Sequence, residues 1–383
     1  MGEWDSHSTV RLLVRSAIMH SASEPLAWLL VGPGDIASRR VAPALRDTPG
    51  SRLAAICGRA GSSKAAALAA RTGGPAVFDD YDRALAESGA DAVYIATQPR
   101  LHAAMVCKAL AAGKHVFCEK PLGCDAGESL AMLRAERASA CLAGCSNYRL
   151  FTPQFCATRR LIDEGRIGRL LGGEAVDEEA YYNPSGQTLR LCDGLSPILT
   201  FGFYLINIAQ HLFGMPEAVF AMLSAFNPDQ EPGRDVDDLD NLLLRFPGGR
   251  QFAIRLNLTS RASIRHSYEF FGTGGRILWP GAPPHFDLPI ELVTDAARPV
   301  EGSTTGSAAS GPHNWHLPMI ADFIAAVRER RPPLCTLESA AETALVTDAL
   351  FRSAASGRVE RVVPLAEALS GQAPAARAPG ICA

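Results

Sequence analysis

From Leu26 onward the chain alternates short apolar runs with alanine-rich helical ones, and this alternation narrows the possible folds more than any other feature. Leu26 to Val31, Arg52 to Cys57, Ala92 to Thr97, His115 to Cys118 and Cys141 to Ser146 read as strands. Between them, Ser62 to Thr72, Asp80 to Ser88, Leu101 to Ala112 and Asp125 to Ala138 read as helices. Strands that are apolar along their whole length are buried on both faces, which requires a parallel sheet with helices on each side.

After Asn147 the texture changes. A helix from Pro153 to Glu164 stops at Gly165, and longer strand candidates follow around Leu170 to Ala180, Ala218 to Phe226, Leu239 to Phe246, Gln251 to Thr259 and Ser267 to Gly272. Breaks such as Pro247-Gly248-Gly249 separate them, which describes an α+β domain with a mostly antiparallel sheet. Two helices, Leu317 to Arg330 and Leu337 to Ser356, come after a stretch from Ala296 to Pro312 rich in small residues and proline. The expected domains are therefore an extension over 1–24, a nucleotide-binding domain over 25–146, a substrate and oligomerisation domain over 147–363 and a tail over 364–383. A length of 383 residues exceeds the roughly 250–300 at which one core stops growing, so two domains are expected on size as well.

Charge and cysteine content narrow the partners. The net charge of -3, from 37 basic and 40 acidic residues without long runs, favours neither nucleic acid nor an anionic membrane and leaves a small molecule as the expected partner. The ten cysteines lie mainly in apolar segments without C-x-x-C pairs, which reads as reduced thiols and a cytoplasmic protein. Arg15 and His20 interrupt the one segment resembling a leader, and no stretch is read as a membrane span.

Gly32-Pro33-Gly34-Asp35-Ile36-Ala37 follows the first strand directly. Gly32 permits a tight turn, Gly34 lets the backbone approach a pyrophosphate, and Ala37 allows close packing of the next helix, whose first N–H groups face the phosphates. At the end of the second strand, Cys57-Gly58-Arg59 carries no acid where NAD selection usually places one. Arg59, with Lys64, could instead neutralise the extra phosphate of NADP, so NADP is favoured with NAD possible. The competing reading lays the flat Arg59 guanidinium over the adenine, where either cofactor would be accepted.

Several further segments complete a pattern that resembles the glucose-fructose oxidoreductase and inositol dehydrogenase group, Gfo/Idh/MocA. They are Ala96-Thr97 with Pro99 and His102, Ala111 to Leu122 containing Glu119-Lys120-Pro121, Asn147-Tyr148-Arg149, Asp163 to Gly168 and Leu212-Phe213-Gly214. The resemblance implies an N-terminal Rossmann domain of doubly wound parallel sheet and a C-terminal α+β domain with a large open, mostly antiparallel sheet. It further implies a homodimer or homotetramer formed through that sheet, and hydride transfer at a hydroxyl or keto carbon of a sugar-like or cyclic polyol substrate. It assigns cofactor contacts to Gly32, Gly34, Asp35, Ile36, Ala37, Gly58, Arg59, Thr97, Pro99, His102, Glu119, Lys120 and Arg149.

Lys120 is the catalytic lysine of that pattern. A cation beside the reacting oxygen stabilises the developing alkoxide. From the residues alone, a structural ion pair with Glu119 is equally open. Many relatives carry Asp and, four residues later, His on the helix before the Phe-Gly turn; here those positions hold Thr200 and Tyr204. Tyrosine also occurs there in the family and can pass a proton, so Lys120 and Tyr204 are the expected catalytic pair, with core packing as the alternative for Tyr204. Thr200 cannot orient a base as a carboxylate does.

Thr200, Asn207, Tyr181 and Tyr182 are the substrate candidates, with core hydrogen bonding open for Asn207. Asp235 to Asp240, with four aspartates, reads as a strand entry rather than a metal loop, and Gly272 to Gly275 as a turn between strands. His313 and His316, flanking Trp315, are placed at the pocket edge, and no metal site is assigned. Two rival functions stay open: a cofactor-retaining enzyme of net non-redox chemistry, and a catalytically silent NAD(P)-binding protein.

Overall fold

Six short strands form the first sheet, in the order β3-β2-β1-β4-β5-β6, with every pairing parallel. They are β1 (Leu26–Val31), β2 (Ser51–Cys57), β3 (Ala76–Phe78), β4 (Ala92–Ile95), β5 (His115–Cys118) and β6 (Ala143–Cys145). The computed structural model describes residues 24–178, 190–226, 235–259, 265–279, 290–294 and 314–371. Tyr181, Tyr182, His313, the N-terminal extension up to residue 23 and the tail beyond residue 371 lie outside them.

The helices of this unit are α1 (Ala42–Asp47), α2 (Ser63–Arg71), α3 (Tyr81–Glu87), α4 (His102–Ala111) and α5 (Ala126–Arg137). Their starts follow local chemistry. The Ser62 hydroxyl accepts from Lys64 N and Asp80 Oδ1 from Arg83 N, each satisfying a donor that a first turn leaves open. β3 has no period to reveal it, being three residues long with Ala76 and Val77 exposed.

The first unit is not contiguous. It gathers residues 1–123, 128–151 and 312–340, so it takes in a helix from far downstream, α8 (His316–Glu329). Phe323 of α8 sits 5.6 Å from the Trp28 ring and 5.0 Å, edge-on, from Phe117, and all three are fully buried. Burying each such side chain stabilises by roughly 1.5–3 kcal/mol, which is why the downstream helix belongs to this core.

The second unit comprises residues 124–127, 152–311 and 341–383. Its eight-stranded sheet runs β13-β12-β11-β7-β10-β9-β8-β14, antiparallel except where β7 and β10 pair in parallel. The strands are β7 (Leu170–Glu178), β8 (Ala218–Ser224), β9 (Leu239–Arg245), β10 (Gln251–Asn257), β11 (Arg265–Gly272), β12 (Gly275–Trp279), β13 (Glu291–Thr294) and β14 (Glu360–Arg361). As read from sequence, Gly272 to Gly275 is the turn joining β11 to β12. Helices α6 (Pro153–Asp163), α7 (Phe203–Phe213), most of α9 (Leu337–Ser356) and α10 (Leu365–Leu369) complete the unit.

Alternation along β9 buries Asp240, Leu242 and Leu244 and exposes Asn241, Leu243 and Arg245. One face of the sheet is therefore core and the other is open. Phe213, Phe246 and Phe252 lie on the covered side, with ring centroids 5.1 and 5.6 Å from Phe213. The helical run Leu191–Phe213, 23 residues, is long and apolar enough to span a bilayer by length and composition, contrary to the sequence reading. Its most apolar stretch is 72% buried inside the unit, as a core helix would be.

Candidate functional site

Strand order places a switch point between β1 and β4, the position at which open parallel sheets accept ligands beyond their strand ends. The glycine turn leaves β1 there. Gly32 adopts φ +86°, and a Cβ at this position would lie 2.7 Å from Ala96 O and 2.9 Å from Thr97 Cγ2 in the loop after β4. Only glycine fits both the left-handed conformation and that gap. A Cβ on Gly34 would meet nothing, so this side of the turn is open. The backbone then enters a π-helical turn, Ala37–Val41, before α1, and Ala37 is fully buried. A tight turn, an open Gly34 flank and a helix start form a cradle that fits the pyrophosphate of a dinucleotide.

The other residues assigned to the cofactor divide by exposure. Ile36 and Arg59 are exposed at the turn and at the end of β2, whereas Asp35 is exposed but paired with Arg39 at 3.3 Å. Lys64, the second residue of α2, is exposed as well. Gly58 donates its N–H to Phe78 O, and its Cβ would crowd Ala65 at 3.0 Å. Thr97 is half-buried and Pro99 buried, while Arg149 is buried in the short turn Tyr148–Phe151.

His102 departs from its expected role. Its ring is fully buried, with Nδ1 2.9 Å from Pro121 O and 3.3 Å from Leu122 O, and Nε2 3.1 Å from Thr97 O. Burial pushes its pKa down against the pull of these carbonyls. The imidazole thus braces the loop after β4 against the loop after β5, and it acts on the Lys120 segment from behind.

Glu119 and Lys120 follow β5 directly, and the Lys120–Pro121 peptide is cis. Glu119 is 6% exposed. It accepts the Tyr94 hydroxyl at 2.7 Å, lies 3.7 Å from His316 Nε2, and receives the Lys120 N–H at 3.3 Å. Burial opposes its ionisation, yet His316, Tyr94 and the nearby Lys120 charge hold the carboxyl below its usual range. Lys120 itself is half-buried, whereas Glu119 is inside.

In the second unit, Tyr204 is 5% exposed and its ring meets Phe203 edge-on at 6.0 Å. Thr200 falls in a second π-helical turn, Ile198–Gly202, rather than in the regular helix that a four-residue spacing implies. Its hydroxyl donates to Ser196 O at 3.0 Å. Asn207 takes the core alternative: its Nδ2 donates to Thr343 Oγ1, which in turn donates to Gln210 Oε1. This buried chain ties α7 to α9 and leaves the Asn207 amide nitrogen engaged inside the unit.

The aspartate run holds the segment leading into α7. Asp235 accepts from Leu191 N, Asp237 from the Ser196 hydroxyl and Asp238 from Phe226 N. Asp240 is buried on the same sheet face, where burial and its neighbours Asp237 and Asp238 push its carboxyl far up. Asp177 and His266, register partners on β7 and β11, form another buried pair at 2.8 Å. Sequence reasoning missed this pair because β7 and β11 are far apart in the chain.

Comparison with known proteins agrees with this geometry. Residues 26–145 match the oxidoreductase family with an NAD-binding Rossmann fold, and residues 155–278 the GFO/IDH/MocA C-terminal domain. An uncharacterised oxidoreductase of Rhizobium meliloti is 30% identical over 336 residues, covering 87% of this chain and 98% of that protein. The dTDP-3,4-didehydro-2,6-dideoxy-alpha-D-glucose 3-reductase of Actinomadura kijaniata is 32% identical over 259 residues, 67% of this chain and 75% of its own. A solved levoglucosan dehydrogenase, in complex with NADH and levoglucosan, shares the fold with a TM-score of 0.78 at 24% identity, covering 89% of this chain and 100% of that one. The protein is therefore an oxidoreductase with an NAD-binding Rossmann domain. Within that class it belongs to the Gfo/Idh/MocA family.

Proposed function

We propose that this enzyme is an NADP(H)-preferring reductase or dehydrogenase of a sugar-like or cyclic polyol substrate, with Lys120 and Tyr204 as its catalytic pair. The observation that carries the reading is the position of Lys120. It stands half-buried at the β5 end, on the same rim of the sheet as the Gly32 cradle, with Glu119 fixed in the interior behind it. When bound, the nicotinamide exchanges a hydride with the substrate carbon. Lys120 holds the substrate oxygen and stabilises negative charge on it. Tyr204 gives that oxygen a proton in reduction and takes one in oxidation.

Arg59 and Lys64, with no acid at the end of β2, support NADP over NAD. The named relatives act on a deoxysugar nucleotide and an anhydrosugar, which supports a carbohydrate-like substrate. The open sheet face exposes Met222 and Leu243 among Glu174 and Arg255, and this mixed apolar and charged surface fits a second copy of the chain.

The test is a screen of the purified enzyme with NADPH and NADH against keto-sugars and cyclic ketones, following loss of reduced-cofactor absorbance. NADPH oxidation with at least one such substrate is expected, and Lys120→Ala should abolish it while NADPH still binds. Undiminished turnover in Lys120→Ala would remove the lysine from the reaction. Turnover with NADH alone would overturn the cofactor preference.

A further inference from the structure

Residues 314–316 bring the start of α8 to the two ends of the cofactor rim. Asn314 Nδ2 donates to Arg40 O in the π-helical turn after the glycines, at 2.7 Å, and Asn314 Oδ1 accepts the His316 N–H at 3.2 Å. The His316 ring, 4% exposed, then lies between Glu119, 3.7 Å away, and Tyr148, stacked at 5.4 Å with a 26° interplanar angle. Tyr94, Glu119 and His316 thus form a buried polar cluster, stacked against the half-buried Tyr148 ring, whose one carboxylate is the sequence neighbour of Lys120.

We propose that His316 is a positioning residue: its imidazole keeps Glu119 fixed and charged, and Glu119 in turn sets the orientation and charge state of Lys120. This rests on the reading that Lys120 acts on the substrate oxygen.

The other titratable groups around Glu119 are Tyr94 from β4, Cys118 from β5, Cys145 from β6 and His102 from α4. Burial pushes the phenol and both thiols well up and the His102 imidazole down, so near neutral pH all four are uncharged. Tyr148 faces His316 through its ring. Among these groups, Lys120, the His316 ring and the Tyr94 hydroxyl are therefore the neighbours that favour the Glu119 carboxylate. Removing the His316 imidazole takes away a close polar neighbour, 3.7 Å from a buried carboxylate, so the protonation of Glu119 moves into a higher pH range. Once Glu119 is neutral, the Lys120 ammonium loses the carboxylate charge beside it that favours it.

The experiment compares His316→Phe, which keeps a ring against Tyr148 but no donor, with His316→Gln, which keeps a donor. Two readouts are taken across pH: kcat/KM with the best substrate, and the protonated-carboxyl band of Glu119 by difference infrared spectroscopy against Glu119→Gln. In His316→Phe both the acid limb of kcat/KM and the Glu119 protonation should move up by about one pH unit, the scale on which one close polar neighbour shifts a buried carboxylate. His316→Gln should restore most of both shifts, and NADPH affinity should change less than about threefold. A Glu119 band that titrates as in the parent, or a uniform loss of activity with an unmoved pH profile in both variants, overturns the inference. A shifted Glu119 band with an unmoved kinetic limb instead removes Lys120 from the proton chemistry, which separates failure of the underlying reading from failure of this one.

Discussion

Glu136→Gln isolates one buried charge and gives it a sign. Glu136 lies in the last turn of α5, and its Oε1 accepts the Ala143 N–H at 2.8 Å, joining α5 to the first residue of β6. Burial, aided by Glu338, pushes its pKa up to about 7 from 4.5, against the pull of the Ala143 N–H and Arg137. A carboxyl with a raised folded pKa binds more protons folded than unfolded between those two values, so stability falls as pH rises from about 4.5 through about 7 and is level above. A shift of about 2.5 units corresponds to about 3.4 kcal/mol at 1.36 kcal/mol per unit, and solvent screening of this half-buried group reduces it to about 2 kcal/mol.

Glutamine keeps the Oε1 acceptor and never ionises. At pH 8.5 the variant's α5–β6 joint should therefore open less often by about 2 kcal/mol, or about thirtyfold in hydrogen-exchange protection of the Ala143 amide. At pH 4.5 parent and variant should exchange alike. Equal protection at pH 8.5, or the same gain at both pH values, would refute the reasoning.

Two further changes test the cradle and the open face. Gly32→Ala places a Cβ against Ala96 O in a left-handed conformation, which costs about 1–2 kcal/mol before any clash; NADPH affinity by fluorescence titration should fall at least tenfold with the circular dichroism spectrum unchanged. Leu243→Asp puts a charge into the middle of the exposed face and should shift sedimentation toward the monomer, whereas an unchanged assembly would place the subunit contact elsewhere.

Much of the first unit was legible because its strands are apolar along most of their length and alternate with alanine-rich helices, although the six-residue α1 was not read. β1, β5 and α9 end where the hydrophobic pattern ends. β3, β13 and β14 escaped because each is short and mostly unburied, so none carries the continuous apolar run that marks the equally short β4, β5 and β6. β12 was likewise passed over, its buried Ile277 and Trp279 alternating with less buried neighbours over only five residues.

The site divides similarly. Gly32 and Lys120 carry local signals, a turn and a short motif. The role of His316 depends on α8 returning to β5, and His102 points inward because carbonyls from two loops converge on it. Neither is encoded within a few residues of the side chain concerned. Thr200 was assigned to a regular helix because a π-helical turn has no distinguishing sequence pattern.

The ring of Phe323 against Trp28 and Phe117 has a consequence for how the chain is made. Synthesis proceeds at about 5–20 residues per second, so the roughly 200 residues between Phe117 and Phe323 take on the order of ten to forty seconds to emerge. Through that interval two aromatic rings of the nucleotide-binding core lack their cover, and the second unit is being threaded out meanwhile. A chain that crosses between its units at 123, 127, 151, 311 and 340 cannot finish its first half first. Each unit takes its last segment only after residue 311, so neither core is complete until late in translation.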